Sequence, residues 1–302
     1  MILDRESIFK LAKLRIKANF FRILTKNNFK GFLKPSDAIA IKLQLEGKYE
    51  KNITNLIHKY SKEGFSDFFF DVGANIGISS CQNGKSFKKI YCFEPNPLLF
   101  NILKTNLEIF LTKKSFKTFN YGLGHKNDDF DLYVPKYNWG GAYIKSDQNS
   151  YSDETLLKKD NFKEFNKKNY LKLKVKVKSA MEVFERKFKK LSQKGLKKGV
   201  CKIDVEGFEE VIINQISKVL PREVSLVIFF ENWESNLDTD MIERVFASRK
   251  VSLKKIEQSI IGTSHSKIYK IFLFFLRFKN VVSLVPFDEA KSPKGDIVLE
   301  IT

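Results

Sequence analysis

The stretch FFFDVGANIGISS, residues 68–80, places three phenylalanines directly before an aspartate. Two glycines four residues apart follow, with an asparagine between them. A continuous apolar run reads as a strand buried on both faces. The acid and glycines after it read as the strand's end and a tight turn, because glycine reaches backbone conformations closed to other residues. Taken alone, the stretch is either an ordinary strand ending in a turn or the first strand and turn of a nucleotide-binding sheet.

The residues that follow repeat the pattern. KKIYCFEP (88–95) is a second apolar run ending in an acid, with room before it for one short helix starting near Gly77. NPLLFNILKTNLEIF then opens a helix, with Asn96 as N-cap and Pro97 at the first helical position. Leu98, Ile102 and Ile109 are expected to share its apolar face. KTFNYGLGH (117–125), KKGVCKIDVEG (197–207) and VSLVIFFEN (224–232) supply a third, fourth and fifth strand, and FEEVIINQISKVL a helix after the fourth. SLKKIEQS and GDIVLEIT are read as the last two strands. LKLKVKVK (171–178) alternates apolar residues with lysine, as an edge strand with one solvated face does. Strands alternating with helices indicate βαβ units and a mostly parallel sheet.

In such a sheet, ligands bind at the carboxyl ends of the strands. Asp71, Glu94, Asp204 and Glu231 each stand at or just past such an end and are expected to converge on one cleft. Gly73 and Gly77 allow the first turn to bend and a ligand to approach the backbone, and Asn75 tolerates left-handed geometry. Glu94 follows Asp71 by 23 residues, close to the offset of roughly 20 at which an acid takes a ribose hydroxyl pair. A dinucleotide would bring a pyrophosphate, which tolerates few acids nearby. An acid-lined mouth suits a cationic ligand such as S-adenosylmethionine, with its sulfonium and ammonium groups.

The blocks FFFDVGANIGISS, YCFEPNP and CKIDVEGFEEVI, in that order and spacing, resemble the FkbM family of S-adenosylmethionine-dependent methyltransferases. The intervening NYGLGH and NWGGAYI resemble that family's more variable middle. The resemblance implies an α/β, class I (Rossmann-like) methyltransferase fold: a seven-stranded, mostly parallel sheet with helices on both faces. It implies that Asp71, Gly73, Asn75 and Gly77 line the methionine side of the cofactor and that Glu94 holds its ribose. It also implies O-methylation of a hydroxyl on a sugar, glycan or secondary metabolite. The chain departs from the family at Ala180-Met181, where a Leu-Asp pair is usual.

For attack by a hydroxyl, a positioned base typically contributes about 10²–10⁴-fold. Asp204 is the first candidate and Glu206 the second, both on the KIDVEG turn; alternatively, Glu206 caps the next helix and Asp204 orders the turn. His125 is a rival, and Trp233 stands near enough to stack on an acceptor ring. Nothing in the spacing of Asp204, Glu206 and Glu231 demands a metal ion.

Composition bounds the rest. The 302 residues carry a formal charge of +19, and 43% are hydrophobic. Abundant Lys, Phe, Asn and Ile is what AT-rich coding produces; a nucleic-acid or anionic-membrane partner is the other reading of the charge. An RNA methyltransferase is therefore the alternative function, although no aromatic cluster for base stacking accompanies a catalytic candidate. Cys81, Cys92 and Cys201 show neither zinc nor disulfide spacing, which fits a reducing compartment. Residues 1–60 read as a basic helical segment and 61–302 as the methyltransferase domain. Leu11, Leu14, Ala18, Phe21 and Leu24 recur at helical spacing, either packing on the domain or lying weakly on an anionic membrane. The N-terminus lacks the pattern of a secretory signal, and the longest apolar run, IFLFFL (271–276), is too short to span a bilayer. The expected location is cytoplasmic or peripheral to the membrane.

Overall fold

A computed structural model of the chain describes residue 16 and residues 29–34, 38–112, 114–136, 138–146, 149, 151–152, 154, 167–233, 238–259, 281–288 and 294–302. The strands are β1 (Phe68–Val72), β2 (Lys89–Phe93), β3 (Ser115–Phe119), β4 (Gly122–Gly124), β5 (Asp128–Pro135), β6 (Tyr143–Ile144), β7 (Tyr170–Ser179), β8 (Lys198–Ile203), β9 (Ser225–Asn232), β10 (Val251–Ser259), β11 (Val281–Pro286) and β12 (Gly295–Ile301). The helices are α1 (Ala38–Glu46), α2 (Lys51–Lys62), α3 (Ile78–Asn83), α4 (Pro97–Phe110), α5 (Ala180–Ser192), α6 (Glu209–Ser217) and α7 (Thr239–Val245).

The main sheet runs β11-β10-β12-β9-β8-β1-β2-β3. From β9 to β3 all neighbours are parallel, and from β9 to β11 all are antiparallel. The fold is thus α/β with a mixed sheet. It corrects the expected seven strands: among the described residues there are eight, because VVSLVP pairs with β10 as an extra edge strand.

Three phenylalanines in a row are explained by pleating, which sends alternate side chains to opposite faces. Phe68 and Phe70 enter a core with Phe184 and Phe188 of α5 and Ile212 and Ile216 of α6. Phe69 enters the opposite core with Ile57 of α2 and Leu103 and Leu107 of α4. All three are fully buried, each worth about 1.5–3 kcal/mol. Helices therefore cover both faces. The expected boundary at residue 60 falls within α2, whose Ile53, Leu56, Ile57 and Tyr60 share a core with Phe229 of β9.

Three expectations are corrected here. KTFNYGLGH is not one strand: β3 ends at Phe119, and β4 belongs to a second sheet of order β4-β7-β5-β6. LKLKVKVK is not an edge strand either, since β7 pairs with both β4 and β5; its lysines still face outward. In α4, Asn96 caps as expected, accepting from the Leu98 N–H at 3.0 Å. The buried stripe, however, is Leu99, Leu103 and Leu107, none of them in the expected set, and Leu98 and Ile109 are exposed. The proposed membrane segment (1–30) lies outside the described residues except for 16, 29 and 30, as does all of 271–276. Among the described residues no helix is long and apolar enough to cross a membrane.

Candidate active site

The pleat that sorts the phenylalanines also aims Asp71 toward α3. Ser80 of α3 donates its hydroxyl to Asp71 Oδ2 at 2.5 Å, while the buried Oδ1 has no hydrogen-bond partner. Burial pushes this carboxyl up, against the opposing pull of Lys202, its register neighbour on β8.

Beyond β1 the chain turns sharply. The N–H groups of Gly73 and Ala74 both donate to the Phe93 carbonyl, at 3.0 and 2.9 Å. Gly73 has φ +78°, and a Cβ there would fall 1.8 Å from the Asp204 carbonyl oxygen. Asn75 has φ 52°, and its N–H donates to Glu94 Oε2 at 2.8 Å. Glu94 Oε1 accepts from the Asn96 N–H, also at 2.8 Å. Burial raises Glu94 to about 7 despite these two donors. A carboxylate has roughly four lone-pair sites, so each oxygen keeps capacity for a ligand hydroxyl. Gly77 bends the turn as expected, at φ +83°, and a Cβ there would meet Leu103 Cδ1 at 2.7 Å. It seats α3 against α4 and lines neither cavity described below.

The second turn follows β8. The Asp204 N–H donates to the Val72 carbonyl at 2.9 Å, tying the two strand ends together. Lys202 Nζ lies 2.7 Å from Asp204 Oδ2 and 3.4 Å from Glu50 Oε2. Burial pulls the Lys202 ammonium down, but Asp204, Glu50 and Asp71 more than reverse this and hold it well above the ordinary lysine value. One cation cannot neutralise both carboxylates: Asp204 is nearer, and burial raises Glu50 to about 7. Glu206, at φ 55°, accepts from Asn149 Nδ2 through its carbonyl at 2.9 Å. Glu206 is not the N-cap, because α6 begins at Glu209 with Phe208 in that position. The turn's amides go to Glu209 instead, whose oxygens accept from Val205 N–H at 3.2 Å and Gly207 N–H at 2.9 Å. Burial lifts Glu209 to about 8.

Two adjoining cavities result. The larger, of about 310 Å³, is walled by Asp71, Gly73, Asn75, Lys202, Asp204 and Glu206 on the sheet side, and by Ile39, Lys42, Tyr49, Glu50, Glu231 and Trp233 elsewhere. The smaller, of about 70 Å³, includes Glu94, Leu99, Leu123 and Trp139. Gly73, Asn75, Gly140, Asp204 and Glu206 line both. The four strand-end acids therefore do converge, with Glu94 in the smaller cavity and the other three around the larger. His125 is exposed, 3.0 Å from Gln215, and lines neither. Among the described residues no group of three or more His, Cys, Asp or Glu side chains is placed to hold a metal ion.

Sequence reasoning missed Lys202, Glu50, Tyr49 and Glu209. Lys202 left a signal, being a lone charge inside the apolar strand VCKI. Tyr49 and Glu50 left none, because they reach the site only through the packing of α2.

A model of the methyltransferase FkbM domain matches residues 71–250. Methyltransferase sdnD of Sordaria araneosa is 23% identical over 216 residues, covering 69% of this chain and 82% of that protein. Among solved structures, the chain is similar to an O-methyltransferase from Bacillus cereus in complex with SAH, with 9% identity, a TM-score of 0.37 and coverage of 100% and 93%. It is also similar to magnesium protoporphyrin IX methyltransferase from Synechocystis with bound SAM, with 9% identity, a TM-score of 0.38 and coverage of 99% and 98%. Structural likeness this distant carries no conclusion about what the present chain acts on.

Proposed function

Because the chain belongs to the FkbM family of S-adenosylmethionine-dependent methyltransferases, we propose that it transfers the methyl group to a hydroxyl of a sugar, glycan or secondary metabolite. The observation that carries this reading is the joining of two cavities at one backbone turn. Glu94 lines the smaller cavity, Asp71 the larger, and Asp204 both.

The residues fit the donor. Glu94 retains acceptor capacity for the ribose hydroxyls, and the buried, unpartnered Asp71 Oδ1 suits a cationic group. The bound donor supplies an electrophilic methyl on a sulfonium. Asp204 is the base: it takes the acceptor hydroxyl's proton as the oxygen–carbon bond forms and the carbon–sulfur bond breaks. Lys202 holds Asp204 in place, and Glu206 is the second candidate. An RNA acceptor is not favoured, because its phosphates would meet a wall bearing Glu50, Asp71, Asp204, Glu206 and Glu231. Weak attraction of residues 1–30 to anionic membranes stands as a further proposal, motivated by their basic, periodic sequence.

Calorimetry tests the donor site. S-adenosylhomocysteine should bind the wild type, and Glu94→Ala should cost about 1.5–3 kcal/mol of affinity. Absence of binding, or tight binding of NAD instead, would sink the reading. A screen of purified glycans and small-molecule extracts with labelled methyl donor tests the acceptor class. Label found in RNA would refute it.

A further inference from the structure

The larger cavity carries a charge opposite to that of the whole chain. The protein is formally +19, yet among the described residues Glu50, Asp71, Asp204, Glu206 and Glu231 line this cavity beside two lysines, Lys42 and Lys202. The donor's sulfonium and ammonium, less its carboxylate, add a single positive charge, so carboxyl groups still outnumber cations with the donor in place, while burial raises two of them, Glu50 and Asp71. Several of these carboxylates converge. The Tyr49 phenol is pushed up by burial first, and then by Glu50, Asp204 and Glu231.

The side away from the donor turn has a second feature. Trp233, at the end of β9, is 41% exposed and lines the cavity mouth. Its indole N–H donates to the Glu231 carboxylate. An aromatic face beside a carboxylate is the chemistry that recognises an ammonium group, through ring quadrupole and charge together. A phosphate in the same place would meet the Glu231 carboxylate, and Lys42 is the one exposed cation among the described lining residues. Lys202, the buried cation, already faces Asp204 and Glu50.

We infer that the acceptor presents its hydroxyl on a molecule bearing an amino group and no phosphate, held at the corner formed by Glu231 and Trp233 with Glu50 behind. This rests on the methyltransferase reading of the cavity and names the substrate class within it. Tyr49 and Glu50 stand outside the residues matched by the family model, 71–250, in the bend between α1 and α2.

Glucosamine, glucose and glucose 6-phosphate share one ring and differ in charge. Each is titrated into the full chain saturated with S-adenosylhomocysteine, and binding is followed by ligand-observed NMR. Glucosamine should bind at least about tenfold more tightly than glucose 6-phosphate, a difference of about 1.4 kcal/mol, and more tightly than glucose. Glu231→Gln should bring glucosamine down to the level of glucose. Glucose 6-phosphate binding as tightly as glucosamine overturns the inference, and so does failure of all three to bind at about 50 mM, a concentration that still detects very weak complexes. If S-adenosylhomocysteine itself fails to bind, the donor reading falls and the inference with it. If it binds and the ring series runs the other way, only the inference falls.

Discussion

The ammonium of Lys202 stands 2.7 Å from Oδ2 of Asp204, with the lysine side chain only 7% exposed. Removing one partner of a buried pair leaves the other charge uncompensated, at a cost of about 3–5 kcal/mol. Asp204 is 29% exposed and keeps some solvation, so Lys202→Met should lose stability at or below the lower end of that range, about 3 kcal/mol or less, by urea unfolding. Adding Asp204→Asn to it should recover much of the loss. Simple additivity of the two changes would show that the pair is not coupled.

Asp204→Asn keeps the shape of the side chain and removes the proton acceptor. Turnover should fall by about two to four orders of magnitude, with S-adenosylhomocysteine affinity little changed. Glu209 sharpens the control. Its two oxygens take the amides of Val205 and Gly207, and Glu209→Gln turns one acceptor into a donor. That should cost about 1–3 kcal/mol of stability. Glu206→Gln should leave the melting temperature near wild type. Near-wild-type turnover in Asp204→Asn would move the base to Glu206.

If Glu94 holds the donor's ribose as proposed, donor binding should depend on pH. Burial raises its carboxyl to about 7, and ribose hydroxyls favour the ionised form. The unfolded chain ionises this group at lower pH, so stability from this source is present in acid and lost as pH rises through about 7. Donor affinity has the opposite sign and should rise about tenfold from about pH 6 to about pH 8, as the ionised fraction grows. Glu50 titrates over the same window, so the comparison is with Glu94→Gln, measured by calorimetry. That variant should bind more weakly with a flatter profile; an unchanged slope would assign the dependence to another group.

Gly73 cannot carry a side chain. At φ +78° a Cβ would fall 1.8 Å from the Asp204 carbonyl oxygen. Gly73→Ala should either fail to fold or lose S-adenosylhomocysteine binding altogether. Retained binding with an unshifted melting temperature would refute this packing.

Residues 1–30 can be tested against vesicles directly. At moderate salt the full chain should float with phosphatidylglycerol-containing liposomes and not with phosphatidylcholine alone. A chain lacking residues 1–30 should float less. Equal flotation would return the segment to packing on the domain.

The strands carrying the site were legible because burial on both faces and a terminal acid leave a local signature. FFFDV, KIYCF and VCKI became β1, β2 and β8, with Asp71 and Asp204 at the larger cavity and Glu94 at the smaller. The second sheet was harder to read. Its β7 shows lysines on one face whether it lies at an edge or between β4 and β5, and alternation alone cannot reveal a partner strand. The α4 stripe was misread for a related reason: Leu98 and Leu99 are equally apolar, and only the position of the sheet decides which one is buried. Glu50 could not be read at all, because its reach to Lys202 crosses about 150 residues of chain and depends on tertiary packing.

The contact between Gly73 and the Asp204 carbonyl also bears on how such an enzyme can diversify. The donor turn and the residue assigned to take the proton are aligned by main chain touching main chain, and no side chain intervenes. Exchanging Tyr49, Glu50 or Trp233 therefore need not disturb that alignment. Changes at the cavity mouth would reshape the wall around the cavity while leaving the spacing between the two turns as it is.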